Sequence, residues 1–389
     1  MKIWPNWRPC WSPRKRARKG KKRPISSFAP VAAGLSRCHK VRPVPIEFTT
    51  KGGPALTVSF TETWLELFPA RLRALLTEAP PEARRRWQEI RLRIGQPVLV
   101  LTAREEIWLP RPEGIPLLPE DLQTTFQIMT QNSLYALEEE LRRGFITLPG
   151  GHRLGFVGHA VLERGRIRLL RQISSLNLRL ARAVEGVAEP LLPLLVAGGR
   201  FLSTLIISPP RGGKTTLLRD LIRSISRGRP DLGLPGRQVS LVDERSEVAG
   251  TYLGRPQLDV GPRTDVLDGA PKAEGMLLML RAMSPDVLAT DELGEAAEAV
   301  VVAEAAKAGV AVLATAHAGS LEEARQRPVL AELLAAGYFQ RLIVLDASHG
   351  PGTVKAVYRF APTREERDGA CSGSWVPCSF WSERVASGT

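Results

Sequence analysis

From residue 200 onward, short apolar runs alternate with longer amphipathic stretches. The short runs are almost continuously apolar, which is typical of strands covered on both faces, and the longer stretches carry apolar residues at helical spacing. The pattern predicts repeated strand–helix units, and hence a mostly parallel sheet covered by helices. Predicted strands lie at 201–208, 238–244, 286–290, 309–316, 341–346 and 354–360, and predicted helices at 215–225, 274–283, 295–307 and 321–336.

Residues 55–195 follow a different pattern, and we expect them to form a smaller α+β domain. Residues 64–76 and 118–143 have helical spacing, whereas residues 89–95 alternate like a strand. From residue 144, short alternating runs are broken by Gly-Gly and Glu-Arg-Gly turns, a pattern typical of β-hairpins, and another strand is predicted at 173–182. After residue 362 the composition becomes loop-like, so residues 363–389 are predicted to be a C-terminal tail.

The net charge of +14 is concentrated at the N-terminus. Residues 1–51 hold 14 Lys and Arg residues against the single acid Glu47, so this segment carries +13 and the remaining residues only +1. Because it lacks apolar periodicity, we predict a disordered basic tail over residues 1–54. The tail is a candidate for binding nucleic acid or an anionic membrane surface. The alternatives are a solvated tail without a partner, or a start codon placed too far upstream.

The remaining composition favours a cytoplasmic protein. No run of 18 apolar residues is free of charges, and no apolar segment follows the basic run as a signal peptide would require. The sequence has no C-x-x-C pair, which fits a reducing compartment. All the cysteines lie in the two terminal segments: Cys10, Cys38, Cys371 and Cys378.

The segment LIISPPRGGKTTLLRD, at residues 205–220, has the order of a phosphate-binding loop. In such a loop, backbone N–H groups surround the phosphates, Lys214 reaches the terminal phosphates and Thr215 offers its hydroxyl to Mg²⁺. The following helix adds the positive end of its dipole. We therefore predict binding of ATP and Mg²⁺ in a P-loop domain over residues 196–362. The predicted nucleotide-binding residues are Ser208, Pro209, Pro210, Arg211, Gly212, Gly213, Lys214, Thr215 and Thr216.

One position departs from the general P-loop pattern G-x-x-x-x-G-K-[ST]. Ser208 stands where that pattern has its first glycine. If the position required a positive φ, a residue other than glycine would cost about 1–2 kcal/mol. The loop is therefore expected to tolerate a different local geometry there.

Three further predicted strands also end in polar groups, and in such a sheet ligands bind beyond the carboxyl ends of the strands. The strand at 286–290 runs into Asp291 and Glu292, as a Walker B strand does. Asp291 is then expected to hold Mg²⁺ through water, and Glu292 to polarise the attacking water. The alternative is that Asp291 caps the next helix.

The other two strand ends are less specific by themselves. Glu244 and Glu247 follow one strand, and the alternative to a catalytic role is a surface salt-bridge cluster with Arg245. His317 ends another strand, where it is a candidate to hydrogen-bond the terminal phosphate, or else a structural histidine.

These segments resemble the secretion-type ATPases of type II and type IV secretion and of pilus retraction. LRAMSPDVLATDELGE is similar to their Walker B segment, VDERSE to their Asp box and ATAHAGSLEEA to their His box. Within that group the resemblance is closest to the stage III sporulation protein AA family of endospore-forming bacteria. The supporting segments there are EIRLRIGQPV, GFITLPGGHRLGFVGHAV, ISSLNLRLAR and SPPRGGKTT, so Ser208 fits this family. The resemblance covers roughly residues 60–360.

The resemblance implies an α/β, RecA-like P-loop ATPase core preceded by a smaller α+β domain. It also implies a homo-oligomeric, hexameric ring that acts on the mother-cell side, peripherally associated with the membrane proteins of a sporulation channel complex. The sequence leaves open whether Glu244, Glu247 or Glu292 orients the water. It also leaves open which arginine assists the reaction, the candidates being Arg179, Arg182, Arg245, Arg255 and Arg263.

Two other function classes remain as alternatives. One is a nucleic-acid-binding RecA-like ATPase that uses the basic tail, since RecA-like sheets also serve helicases. The other is a structural subunit that binds nucleotide only to assemble. The set of Lys214, Thr215, Asp291 and Glu292 argues against the latter, because a scaffold need not retain all four.

Overall fold

The first half of the protein is built around an antiparallel sheet. The computed structural model describes residues 46–48, 56–59, 62–102, 104–109, 116–130, 145–163, 165–346, 348, 352–362 and 373–378. The first strands are β1 (Ile46–Phe48), β2 (Leu56–Ser59), β3 (Trp87–Arg93), β4 (Val98–Thr102), β5 (Glu106–Leu109), β6 (Phe145–Thr147), β7 (Arg153–Glu163), β8 (Arg166–Arg179) and β9 (Ala183–Glu185). The helices are α1 (Ala70–Thr77), α2 (Pro81–Arg84) and α3 (Pro119–Thr130), with 3₁₀ turns at Glu62–Leu67 and Pro149–Gly151.

Six of these strands form one antiparallel sheet in the order β5-β4-β3-β8-β7-β6, and β1, β2 and β9 form a second, smaller sheet. The inward faces of the six-stranded sheet and the helices share one apolar core. Trp64 and Trp87 lie at its centre, with ring centroids 5.9 Å apart. The predicted hairpins after residue 144 are confirmed, because β7 pairs with both β6 and β8.

The second half contains the predicted strand–helix units. Its strands are β10 (Val196–Ala197), β11 (Arg200–Phe201), β12 (Thr204–Ser208), β13 (Val239–Asp243), β14 (Thr264–Asp268), β15 (Val287–Thr290), β16 (Ala311–His317), β17 (Arg341–Asp346), β18 (Thr353–Pro362) and β19 (Gly373–Pro377). Its helices are α4 (Leu192–Leu195), α5 (Lys214–Arg227), α6 (Lys272–Ala282), α7 (Ala296–Lys307), α8 (Leu321–Gln326) and α9 (Pro328–Ala335), with a 3₁₀ turn at Pro230–Leu232.

Eight strands form a sheet in the order β14-β13-β15-β16-β12-β17-β18-β19. The first six are parallel and the last two pairings are antiparallel. Apolar clusters cover both faces, since alternate residues of each central strand belong to opposite clusters. The prediction of an α/β core with a mostly parallel sheet is confirmed. Because β12, β13, β15 and β16 are parallel neighbours, their carboxyl ends meet at one edge.

Prolines divide two predicted helices. The stretch 64–76 is a 3₁₀ turn followed by α1, with Pro69 at the N-cap of α1. The stretch 321–336 is divided into α8 and α9 at Pro328, which begins α9. In both places the proline has no N–H to donate and its ring excludes a continuous helix. Of the helix predicted at 118–143, residues 119–130 are helical, and 131–143 lie outside the described residues.

The predictions for the two tails need correction. The predicted disordered tail 1–54 lies mostly outside the described residues, but Ile46–Phe48 forms β1 and pairs with β2. The prediction of a loop-like C-terminal tail is wrong for Gly373–Pro377, because β19 pairs with β18. Trp375 of β19 is buried beside Phe360, and its Nε1 donates to the Leu334 carbonyl at 3.3 Å. The short β14 is a further strand that its apolar pattern does not reveal, since acids lie near its start and at its end. The domain boundaries themselves stay a prediction.

No helix within the described ranges combines the length and the apolar character needed to cross a membrane.

Candidate active site

The loop between β12 and α5 has the geometry of a phosphate-binding turn. Gly213 precedes α5 with φ +89° and Arg211 has φ +62°, so the chain passes through the left-handed region twice before the helix begins. Pro209 and Pro210 have no N–H group, and therefore the amides that can face an anion begin at Arg211. They continue into the first turn of α5, whose free N–H groups and dipole favour negative charge.

Ser208 is the fully buried last residue of β12 and lies outside the left-handed region. Serine in place of the first glycine therefore does not strain the backbone at this position. Its hydroxyl donates to the Pro209 carbonyl at 2.7 Å. The backbone strain of the loop falls on Arg211 instead.

A chain of polar contacts connects three strand ends. Lys214 Nζ lies 3.1 Å from Nδ1 of His317, and Nε2 of His317 lies 3.1 Å from Oε1 of Glu292. The other Glu292 oxygen accepts from Arg245 Nη1 at 3.2 Å. Lys214 also approaches the Ser208 hydroxyl at 3.4 Å, and its burial lowers the pKa of its amine, while the nearby Glu292 and Asp291 raise it. The residues at the start of α5 and at the ends of β15 and β16 thus form one connected group.

Glu292 has an unusual backbone for a glutamate, with φ +46°. Its N–H donates to the Thr315 hydroxyl at 2.8 Å, and the next N–H, of Leu293, donates to the Thr315 carbonyl at 2.7 Å. β16 therefore holds the turn that follows β15. A residue other than glycine persists in this region only where its surroundings over-determine it, and such strain concentrates at functional sites.

Asp291 is a buried carboxyl group close to three other acidic side chains. Its pKa is raised from 3.8 to about 7, first by burial and then by the nearby Asp243, Glu292 and Glu247, while Lys272 opposes the rise. A bound cation would relieve both the burial and the repulsion. The donor set therefore fits Mg²⁺, a hard cation that prefers carboxylate oxygens.

The carboxylate that ends β13 has a structural task. Asp243 is fully buried and accepts backbone N–H groups from Glu247, Val248 and Ala249 at 2.8–3.2 Å. Burial nevertheless raises its pKa, while these hydrogen bonds lower it. Sequence reasoning overlooked Asp243 in favour of the glutamates that follow it, although its place as the last residue of a buried strand was a usable signal.

The three candidate glutamates lie in different surroundings. Glu292 contacts Nε2 of His317. Glu247 forms an ion pair with Arg153 of β7, and Glu244 lies 3.7 Å from Lys272 Nζ. Of the three, Glu292 alone has a described side-chain contact with the His317–Lys214 pair.

The five candidate arginines also lie in different surroundings. Arg263 donates to the Ser226 carbonyl, and Arg182 to the Trp87 carbonyl, with burial lowering the pKa of Arg182. Arg245 holds Glu292, and Arg179 lies 3.4 Å from Glu89. Arg255 pairs through its backbone with Tyr252, and its carbonyl accepts from Gln257 Nε2 at 3.0 Å.

Two cavities adjoin the P-loop. One, of about 360 Å³, brings residues of β3, β4 and β8 to the loop, and is lined by Gln88, Glu89, Arg91, Leu101, Thr102, Arg179 and Arg211. The other, of about 370 Å³, lies on the His317 side, and is lined by Pro209, Pro210, His317, Ala318, Gly319, Glu323 and Arg327. The loop therefore has open space on both sides, with a cluster of arginines in the first cavity.

The chain is similar to known proteins in sequence and in structure. The family model described as "Sporulation stage III, protein AA" matches residues 60–364. The chain is 41% identical over 293 residues to stage III sporulation protein AA of Bacillus subtilis (strain 168), covering 75% of this chain and 93% of that protein. Among solved structures, the Legionella pneumophila ATPase DotB has a TM-score of 0.48 at 14% identity, covering 83% of this chain and 85% of that chain. The pilus retraction motor PilT with bound ADP has a TM-score of 0.45 at 14% identity, covering 79% and 84% respectively.

Proposed function

The chain belongs to the sporulation stage III protein AA family, and we propose from this premise that it is a Mg²⁺-dependent ATPase. The observation that carries the proposal is the contact chain from Lys214 through His317 to Glu292, set beside the buried Asp291. A P-loop lysine, a strand-end acid pair and a polar side chain between them are the parts that phosphoryl transfer needs.

Each residue has a distinct task in this proposal. The amides from Arg211 to Thr216 and the amine of Lys214 bind the phosphates. Thr215, the second residue of α5, and Asp291 would hold Mg²⁺, which would supply positive charge to the transferred phosphoryl group. Glu292 orients the attacking water, because it is the candidate glutamate in contact with His317. His317 detects whether the terminal phosphate is bound. When it is, His317 leaves its contact with Lys214 and contacts a phosphate oxygen instead.

An arginine completes the charge neutralisation. Arg179 and Arg211 line the same cavity beside the P-loop, and this supports Arg179 as the candidate from the first half of the chain. Arg245 is the second candidate, since turning away from Glu292 frees it. An arginine acting from a neighbouring copy requires a ring, so turnover per chain would rise with protein concentration.

The test compares Lys214→Ala with the unaltered protein in an assay of phosphate release. We expect phosphate release to fall to background, with thermal stability close to that of the unaltered protein. The control is Arg325→Ala, a surface change on α8 that should leave turnover intact. Undiminished turnover in the Lys214 variant would overturn the assignment of the site.

For the cellular role, we propose a peripheral ATPase of a sporulation channel complex, assembled as a homo-oligomeric ring in the cytoplasm. The support is the family membership. Co-purification with membrane proteins from sporulating cells, with and without ATP, tests the association. Mass measurement of the purified protein tests the ring. A protein that stays monomeric with ATP and does not co-purify with membrane proteins would contradict this role.

A further inference from the structure

Lys272 lies in an unusual place for a cation. It is the first residue of α6, where the positive end of the helix dipole disfavours positive charge, and its side chain is only 8% exposed. Burial of a lysine adds a further cost unless the ammonium is paired. A cation that is both buried and placed at a helix N-terminus is unfavourable on two counts, and such exceptions are expected at functional sites.

The Lys272 ammonium is directed at the turn that carries Glu292. Its Nζ donates to the Glu292 carbonyl at 2.8 Å, and lies 3.4 Å from Oε1 of Glu298. The more distant Glu244 carboxylate is 3.7 Å away. The shortest of these contacts is therefore to the backbone of the strained residue itself.

Glu298, on the first turn of α7, holds the other end of the same turn. Its side chain is 4% exposed, and Oε2 accepts the N–H groups of Gly294 and Glu295 at 2.7 and 3.0 Å. One carboxylate oxygen thus fixes the turn, and the other faces Lys272. The ion pair connects the start of α6 to the start of α7 across the Glu292 turn.

With the two Thr315 contacts added, the four N–H groups from Glu292 to Glu295 and the Glu292 carbonyl are all held, by side chains or backbone of β16, α6 and α7. The Glu292 N–H and carbonyl are held from opposite sides, by Thr315 and Lys272. This explains how a glutamate keeps φ at +46°. In the absence of the Lys272 contact, the carbonyl loses its partner, and the peptide is free to relax toward an unstrained conformation.

We infer that Lys272 and Glu298 form a positioning pair that holds the Glu292 carboxylate in place for the reaction. The pair itself does not touch the reacting atoms. The inference rests on the proposed ATPase function. It predicts an effect on turnover separate from nucleotide binding in the absence of Mg²⁺, because Lys214 and the P-loop amides make no described contact with Lys272. The binding assay leaves out Mg²⁺, since Lys272 also acts on the charge of Asp291.

The experiment uses the full chain with Lys272→Met, Lys272→Arg and, as a matched control, Lys307→Met at the exposed end of α7. We expect Lys272→Met to lower kcat by about 10- to 100-fold, since a misplacement of about 1 Å can cost that much. The dissociation constant for a fluorescent ATP analogue should stay within about threefold. Lys272→Arg keeps a cation at the turn and should recover most of kcat, and Lys307→Met should match the unaltered protein.

Three results would overturn the inference. They are an unchanged kcat in Lys272→Met, an equal loss of kcat and nucleotide affinity, or a loss that Lys272→Arg does not reduce. If Lys272→Met does not fold, Glu298→Gln replaces it, because glutamine keeps an acceptor oxygen for Gly294 and Glu295 while removing the ion pair. The same kinetic outcome is expected for that variant.

A second measurement separates this inference from the ATPase proposal. Hydrogen exchange of the Gly294 and Glu295 amides should accelerate in Lys272→Met, whether or not the protein hydrolyses ATP, while exchange in α5 stays unchanged. If the unaltered protein hydrolyses no ATP, the proposed function fails. Hydrogen exchange at the Gly294 and Glu295 amides then remains as the test of whether Lys272 and Glu298 hold the turn. Unchanged exchange at these two amides would then reject it.

Discussion

The Ser208 side chain occupies the space that a side chain on Gly212 would need. A Cβ atom at Gly212 would lie 2.5 Å from the Ser208 Oγ and 2.8 Å from its Cβ. Gly212 is thus required by close approach, whereas Gly213 is required by its positive φ. A serine in place of the first P-loop glycine is accommodated because a glycine stands opposite to it.

The first prediction follows from this contact. Gly212→Ala should push the loop away from β12, at an overpacking cost of about 1–3 kcal/mol. We expect this cost to appear as a nucleotide dissociation constant raised about tenfold or more. Titration with a fluorescent nucleotide measures it.

The control for that prediction is the double variant Ser208→Gly with Gly212→Ala. Removal of the serine side chain vacates the space, so a large part of the lost affinity should return. If the double variant binds as weakly as Gly212→Ala alone, the close contact is not the cause.

The second prediction separates the candidate glutamates. Glu292→Gln should lower kcat by about 100-fold or more while nucleotide affinity stays within a few-fold, because the amide lacks the negative charge that orients water. Glu244→Gln should retain most of its turnover, since this side chain is half-exposed and 3.7 Å from Lys272. Steady-state phosphate release of the two variants, measured side by side, tests the assignment. The reverse ranking would assign the water to Glu244.

The third prediction concerns pH and Asp291. Because the pKa of this carboxyl group is raised to about 7, the folded protein keeps a proton on it between about pH 4 and pH 7 that the unfolded chain has released. The contribution of Asp291 to the free energy of unfolding therefore falls as the pH rises through that window, by about 1.4 kcal/mol for each pH unit.

Asp291→Asn removes this titration. Without divalent cations, we expect the variant to be more stable than the unaltered protein at pH 8, by a few kcal/mol at most, and to lose that advantage at pH 4. Urea denaturation at both pH values measures the difference. A stability difference that does not change with pH would contradict a raised pKa at this position.

The fourth prediction tests the sheet edge formed by β19. Trp375 is 9% exposed, contacts Phe360 with ring centroids 5.4 Å apart, and donates to the Leu334 carbonyl. Trp375→Ala should lower the free energy of unfolding by about 3–5 kcal/mol. Ser374→Ala, an exposed change on the same strand, is the matched control. If both variants unfold at the same denaturant concentration as the unaltered protein, β19 does not pack as described.

The local pattern was sufficient for most of the elements that build the site. The continuous apolar runs predicted β12, β13, β15 and β16, and the spacing of Leu217, Leu218, Leu221, Ile222 and Ile225 predicted α5. These predictions succeed because burial on two faces leaves a strong signal in sequence. Strands with weaker burial left no such signal, as with β14, which begins with a threonine and an acid, and β19, which follows residues of tail-like composition.

The sequence by itself determined the family resemblance and which strand ends carry polar groups, because these depend on residue type and local spacing. It did not determine which glutamate faces His317, that Asp243 caps a loop, or that Lys272 reaches the Glu292 carbonyl. Those contacts join residues 6, 20 or 25 positions apart. The tertiary structure decided them, since the order of the strands in the sheet sets which ends are neighbours, and strain at Glu292 exists only where three elements meet.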